Sequence, residues 1–271
     1  PVLNYDILYV DESQDINPCV LTVLEKQCCK ILYVGDEHQS IYAFRGATNA
    51  MKRIVCPTMQ LSQSWRYGEV IADVAQFILS KYDVQVRGNS AIASSLTDVK
   101  NLDAYTMIFR TNSALFEEAE KLIETGKNVK VEINVADFVR QIKSAVSLHN
   151  KEKPFHDNIA RFGSWAELME FSKESVEIQR LANMALRHDV EDLIARLEQA
   201  NTSSTPDIVL TTAHKSKGLE YDNVVIANDF RFGTKDVMEM PEQELNLLYV
   251  ACTRAKKNLQ LPDVLKEAMG V

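Results

Sequence analysis

Two short β-rich runs, YDILYV (residues 5–10) and KILYV (30–34), are followed by Asp11 and by Gly35-Asp36. Between them Asn17-Pro18 forms an N-cap and first-turn pair, which predicts a helix through about residue 27. Strand, helix and strand at this spacing imply parallel pairing, with both acidic ends on one sheet edge. TMQLSQ (58–63) reads as a further strand. Val70, Ile71, Val74, Ala75, Ile78 and Leu79 then recur at helical spacing and predict a helix over 69–82. Farther along, 105–109 reads as a strand, 114–124 as a helix and 128–133 as a strand. Residues 136–200 are almost wholly helical in pattern, in several charged pieces. NTSSTP (201–206) is a polar linker back to strands at 208–212 and 223–227, a helix at 242–254 and a last strand at 258–261. Strands alternating with helices predict an α/β fold, and the helical block reads as an insertion.

Composition narrows the class without naming a chemistry. The 271 residues suffice for one large domain or two modest ones. Hydrophobic content of 46% and charged content of 25% are those of an ordinary globular protein. A net charge of −8, from 30 basic and 38 acidic side chains, argues against an overall basic coat and leaves room for a local groove. The cysteines are Cys19, Cys28, Cys29, Cys56 and Cys252: an odd number, without CxxC, which argues against a disulfide framework or zinc site. Reduced, mostly buried thiols are expected. No apolar run approaches membrane-spanning length, and the N-terminus lacks a basic start and cleavage signal. Its abrupt entry into a core strand suggests a piece of a longer protein.

Five stretches carry candidate chemistry. In LYVDESQD (8–15), Asp11 at a strand end can hold Mg²⁺ and Glu12 can polarise a water; read alone, such a pair is more often a cap or surface pair. VGDEHQSIYAFRGA (34–47) opens on a tight turn, offers the Gln39 amide, and alternates Tyr42, Phe44 and Arg45. That composition suits a platform for stacked single-stranded bases or, equally, a loop with core aromatics. SQSWRYGEVI (62–71) places Trp65 beside Arg66, fit for a purine and a phosphate or for a surface cation–π contact. TTAHKSKGLEYDNVVI (211–226) presents His214, Lys215 and Lys217 for phosphates. In it Gly218 allows close backbone approach, and Glu220 is a candidate for ribose hydroxyls. LNLLYVACTRAKKNL (245–259) is a helix whose last turn presents Arg254, which also suits dipole stabilisation.

In this order the stretches resemble the UvrD/Rep/PcrA-type helicases of superfamily 1. VDESQD resembles motif II, VGDEHQSIYAFRGA motif III and QSWRYG motif IV; FRTN (109–112) resembles the motif that follows. TAHKSKGLEYD resembles motif V and LLYVACTRAK motif VI. GDEHQSIYAFRGATNAM, LSQSWRYGEVIA and HKSKGLEYDNVVIANDF lean to the branch that includes the eukaryotic F-box DNA helicase. The resemblance implies two RecA-like α/β domains, 1A and 2A, with ATP between them. Residues 1–57 would be the end of 1A, 58–135 and 206–271 the two parts of 2A, and 136–205 a reduced helical insertion.

By the same resemblance Asp11 would hold Mg²⁺, Glu12 would activate the hydrolytic water and Gln39 would sense the γ-phosphate. Trp65 would stack near adenine, with Gly218 and Glu220 also on the nucleotide side. Arg66 and Arg254 would meet charge developing in phosphoryl transfer. Tyr42, Phe44, Arg45, Asn112 and His214 would line a single-stranded DNA path. The family's Walker A loop, GxxxxGK[ST], has no match in these residues: Gly126-Lys127 is followed by Asn128.

Three readings follow. The chain is a fragment of an ATP-dependent, DNA-translocating helicase; or a shortened relative that binds single-stranded DNA or protein without catalysis; or a half-enzyme whose loop comes from a separate chain. The first, as a monomer without membrane attachment, agrees best with the full set of apparent catalytic residues. Its location would be cytoplasmic and nucleoid-associated in a bacterium or phage, and nuclear in a eukaryote. Alone, the chain is expected neither to hydrolyse ATP nor to unwind DNA.

Overall fold

The computed structural model describes residues 4–43, 49–173, 175–200, 205–230 and 239–271. The chain forms two compact units, one of residues 1–95, 231–257 and 263–271, the other of residues 96–230 and 258–262.

In the first unit β1 (Ile7–Val10) and β2 (Lys30–Tyr33) pair in parallel, Ile7 opposite Lys30 and Val10 opposite Tyr33. The connection is α1 (Pro18–Glu25), which starts where the sequence predicts because Asn17 Oδ1 accepts from the Val20 N–H at 2.9 Å. Parallel pairing brings the acidic ends of both strands to one edge, as expected. Ile16, Leu21 and Ala50 form a small core beneath them. Helix α2 (Glu69–Ile78) buries Ile71, Val74, Ala75 and Ile78, whereas Val70 faces out. The helix stops before the expected residue 82, and tight turns follow. Helix α10 (Glu242–Cys252) is buried at every residue from 245 to 252, and α11 (Asp263–Met269) closes this unit.

The second unit holds the larger sheet. Its strands are β3 (Ser95–Leu96), β4 (Tyr105–Phe109), β5 (Val129–Val131), β6 (Ile208–Thr212), β7 (Tyr221–Ile226) and β8 (Ala255–Gln260), in the order β3-β8-β7-β4-β6-β5. The chain passes between units within β3 and β8. β4 pairs in parallel with β6 on one side, Phe109 opposite Thr212, and with β7 on the other, Ile108 opposite Ile226; β5 pairs in parallel with β6. The expected α/β architecture with a parallel sheet is therefore what forms.

Of helices α3 (Asn112–Glu124), α4 (Val135–His149), α5 (Asp157–Ala160), α6 (Trp165–Ser172), α7 (Val176–Ala185) and α8 (Val190–Ala200), α3 and α8 pack on the sheet and the others pack mainly on helices, while α9 (Ala213–Ser216) follows β6. Side chains of Thr111, Asn134, His156, Ser164 and Ser175 cap five of them, which is why one helical pattern breaks into short pieces. Phe116 and Phe138 stack at 4.0 Å within a core that also contains Leu115, Ile142, Leu168 and Leu210.

Two expectations fail. Residues 58–63 form no strand: an isolated bridge between Gln63 and Arg87 is the pairing present among the described residues, and Met59 and Leu61 are each 92% exposed. Alternation alone lacks a neighbouring strand to pair with. The thiols are free as expected but not mostly buried, since Cys252 is buried while Cys19, Cys28 and Cys56 are exposed.

Candidate functional site

The edge where β1 and β2 end is built by a tight chain reversal. Ser13 Oγ donates to the Val10 carbonyl at 2.8 Å and the Ser13 N–H to the Val34 carbonyl at 3.0 Å, pinning residues 11–14 over both strands. Glu12 takes φ 50°, ψ 41°, a left-handed conformation that costs an L-residue about 1–2 kcal/mol. Asp11 and Glu12 are both exposed. Asp11 Oδ1 accepts from the Glu12 N–H at 2.8 Å, and Glu12 Oε2 accepts from Gln14 Nε2 at 2.6 Å.

Gln14 is 1% exposed and faces two ways. Its Oε1 accepts from the Asp36 N–H at 3.1 Å. Asp36 is the centre of this edge. Its Oδ1 accepts from the His38 N–H at 3.0 Å, and its Oδ2 accepts from Gln39 Nε2 at 2.9 Å and from the Tyr249 hydroxyl at 3.0 Å. On α10, Asn246 Nδ2 donates to the Ser40 carbonyl at 3.0 Å. Burial, and then the Asp36 carboxylate, hold the Tyr249 phenol well above its ordinary pKa, so it stays a donor.

The same helix leads to the two arginines. Thr253 Oγ1 donates to the Tyr249 carbonyl at 2.8 Å, and the Thr253 carbonyl accepts from Arg66 Nη1 at 3.2 Å. Arg254 is 1% exposed; its Nε donates to the Val250 carbonyl at 2.9 Å and its Nη2 to Thr253 Oγ1 at 3.2 Å. The helix-end reading of Arg254 is thus the observed geometry, and the side chain is not presented outward. Trp65, beside Arg66, is 79% exposed. One hydrogen-bonded line therefore runs from Glu12 through Gln14, Asp36, Tyr249 and Thr253 to Arg66 and Arg254, with Gln39 branching from Asp36.

Sequence reasoning missed Gln14, Tyr249 and Asn246, and took Asp36 as a turn marker and an acidic strand end without its partners. A tyrosine inside an otherwise apolar helical run was the available signal, because a buried phenol needs a partner. Of the stacking residues, Tyr42 is half-buried, and Phe44 and Arg45 lie outside the described residues.

In the second unit Asn112 opens α3 and His214 lies in α9, so both follow the carboxyl ends of adjacent parallel strands, β4 and β6. Gly218 (φ +81°) and Glu220 lie just before β7, toward the opposite edge, and both are exposed. A Cβ on Gly218 would meet nothing within 4 Å, so glycine serves the left-handed backbone there and not a crowded approach. Within this unit Asn112 and His214 thus follow adjacent strand ends, and Gly218 and Glu220 lie at the other end of the sheet.

Mg²⁺ takes oxygen ligands, few of them from protein, together with substrate phosphates and water. An exposed Asp11 with one oxygen still outside the turn, beside a second carboxylate, fits that demand. Among the described residues no group of three or more His, Cys, Asp or Glu forms a complete metal cage. No described helix is long and apolar enough to cross a membrane.

Comparison with known proteins shows the family. Residues 36–263 match the UvrD-like helicase C-terminal domain and residues 3–53 the UvrD/REP helicase N-terminal domain. F-box DNA helicase protein 1 of Schizosaccharomyces pombe is 32% identical over 96% of this chain and 34% of its own length. F-box DNA helicase 1 of Gallus gallus is 28% identical over 98% of this chain and 30% of its own length. The probable DNA helicase II homolog of Mycoplasma capricolum is 28% identical over 69% of this chain and 25% of its own length. The chain spans about a third of the length of the F-box relatives it matches. Its parallel sheet with flanking helices is consistent with a RecA-like helicase domain, and the chain belongs to the UvrD-like helicase family.

Proposed function

We propose that the chain is part of an ATP-dependent DNA helicase that couples ATP hydrolysis to movement along single-stranded DNA. The observation that carries this reading is the hydrogen-bonded line from Glu12 to Arg66 and Arg254, which ties motif II, III, IV and VI residues into one structure. Gln14 holds the Glu12 carboxylate toward the exposed edge, where it can orient and polarise a water. Asp11 would hold Mg²⁺, which when bound neutralises phosphate charge. Gln39 shares Asp36 with Tyr249, so a shift of the Gln39 amide is felt on the helix that leads to Arg254. Arg66, half-buried, supplies positive charge near the end of that helix, and the exposed Trp65 beside it offers a face for adenine. Gly218 and Glu220 would serve the nucleotide's ribose side.

Tyr42, Phe44, Arg45, Asn112 and His214 would form the single-stranded DNA path, rings taking bases and polar groups the backbone. The domain division into the end of 1A, a 2A domain in two parts and a reduced helical insertion belongs to the same proposal, as do monomeric action and, from the eukaryotic relatives, a nuclear location.

The 271 residues contain no GxxxxGK[ST], whose backbone N–H groups and lysine cradle phosphates. By itself the chain is therefore inactive as an ATPase, and the loop would come from the same parent chain or from a separate one. Two measurements test the proposal. Fluorescence titration with labelled single-stranded DNA should show binding that weakens in the Tyr42→Ala/Phe44→Ala double variant; binding unaffected by loss of both rings removes the stacking path. ATP hydrolysis by this chain that disappears on Glu12→Gln would overturn the claim of inactivity.

A further inference from the structure

At the carboxyl edge of the second unit one side chain is engaged in a way that the proposed roles do not use. β4 and β7 are parallel neighbours, and the Ala227 N–H donates to the Ile108 carbonyl at 3.0 Å, so the segments leaving both strands start side by side. Three residues beyond β7, the half-buried Asp229 turns its carboxylate onto the segment leaving β4. Oδ1 accepts from the Arg110 N–H at 2.9 Å; Oδ2 accepts from the Thr111 N–H at 2.8 Å and from the Thr111 hydroxyl at 2.9 Å. The Thr111 oxygen, its proton given to Asp229, accepts in turn from the Ala114 N–H at 3.3 Å as the cap of α3. The carboxylate thereby fixes two consecutive backbone amides and the first turn of a 13-residue helix, whose N-terminus favours negative charge. Asn112, the residue immediately after, has its backbone set by this clamp.

We propose that Asp229 is a positioning residue for single-stranded DNA binding. It holds Arg110–Thr111 so that Asn112, beside His214 on the neighbouring strand end, presents its amide to the nucleic-acid backbone. This rests on the DNA-path reading above. An amide in place of the carboxylate must point an N–H₂ at one of the two backbone N–H donors, so Asp229→Asn keeps the shape and breaks the clamp.

The test titrates a fluorescein-labelled oligothymidylate into the whole chain as wild type, Asp229→Asn and Asn112→Ala, with amide hydrogen exchange measured on each. Both variants should bind at least about tenfold more weakly, in line with loss of one charge-assisted hydrogen bond. In Asp229→Asn, faster exchange should be confined to residues 110–114. Unchanged affinity in Asp229→Asn beside weakened binding in Asn112→Ala overturns the positioning role and leaves the DNA path standing. Unchanged affinity in Asn112→Ala removes the path, and the proposal with it. Weaker binding of Asp229→Asn with protection lost throughout the unit overturns the proposal in favour of a purely structural role.

Discussion

The Tyr249 hydroxyl donates to Asp36 Oδ2 at 3.0 Å, across 213 residues of sequence. It is the one link in the line from Glu12 to the arginines that joins the motif III turn to the motif VI helix through side chains alone. Tyr249→Phe keeps the ring and its packing and removes that link. It should destabilise the chain by about 1 kcal/mol, the net value of a typical intramolecular hydrogen bond. The measurement is urea unfolding of both proteins, and equal midpoints would show that Tyr249 acts by packing alone.

Gly35 lies against that line. A Cβ there would lie 2.4 Å from Gln14 Oε1, 2.9 Å from Met51 Sδ and 3.0 Å from the Ser13 nitrogen. The Met51 side chain can move; the Ser13 backbone is tied to Val34, and Gln14 is held at both ends. Gly35→Ala should therefore cost about 1–3 kcal/mol, the usual range for overpacking. Thermal unfolding reads it, and a variant as stable as wild type would mean that the turn relaxes freely.

What the sequence made legible was local. Asn17-Pro18 announced α1 because a cap and a first-turn proline act within four residues, and the apolar spacing of Ile71, Val74, Ala75 and Ile78 announced the buried face of α2. The parallel pairing of β1 with β2 followed from an intervening helix of sufficient length. The strand expected at residues 58–63 failed because alternation reports a face and says nothing of a neighbour, and Met59 and Leu61 have none. Asp11, Glu12, Gln39, Arg66 and Arg254 stood out by residue type within quoted motifs. Gln14, Tyr249 and Asp229 did not, because their contacts depend on partners 22, 213 and 118 residues away that no periodicity encodes.

Within the second unit, Glu120 on α3 anchors the helices that follow. It is 8% exposed and accepts from Arg187 Nη1 at 2.6 Å, from Arg187 Nη2 at 2.7 Å and from Arg196 Nη2 at 3.3 Å. Arg187 also grips Asp189 at 2.6 and 2.8 Å, and its hydrogen bonds hold that carboxyl down to about 2. Glu120→Ala leaves both arginines short of a fixed acceptor, while Asp189 still offsets part of their charge. A loss of about 1–3 kcal/mol is expected from removing charge-assisted hydrogen bonds at a largely buried acceptor. Urea unfolding with Glu120→Gln alongside should place the amide variant between alanine and wild type; a neutral alanine variant would sink the anchoring role.

His38 adds a pH dependence to stability below about pH 6.5. The ring is 5% exposed, neither nitrogen has a hydrogen-bond partner among the described residues, and it lies 4.5 Å from the Tyr82 ring and 6.5 Å from the Tyr249 ring. The carboxylates of Asp36, Glu37 and Glu242 favour the imidazolium, with Glu37 Oε1 at 3.7 Å from Nε2, and Lys52 opposes them. Burial outweighs the carboxylates and holds the pKa below its ordinary value. The unfolded chain therefore takes up a proton near pH 6.5 that the folded chain refuses. The contribution of His38 to stability is complete above that pH and is lost as pH falls through the lowered folded value. Urea midpoints measured from pH 7.5 down to 5 should fall more steeply for wild type than for His38→Phe, which has no proton to take up at that position. Parallel profiles would mean that water or a rearranged carboxylate satisfies the ring as it protonates.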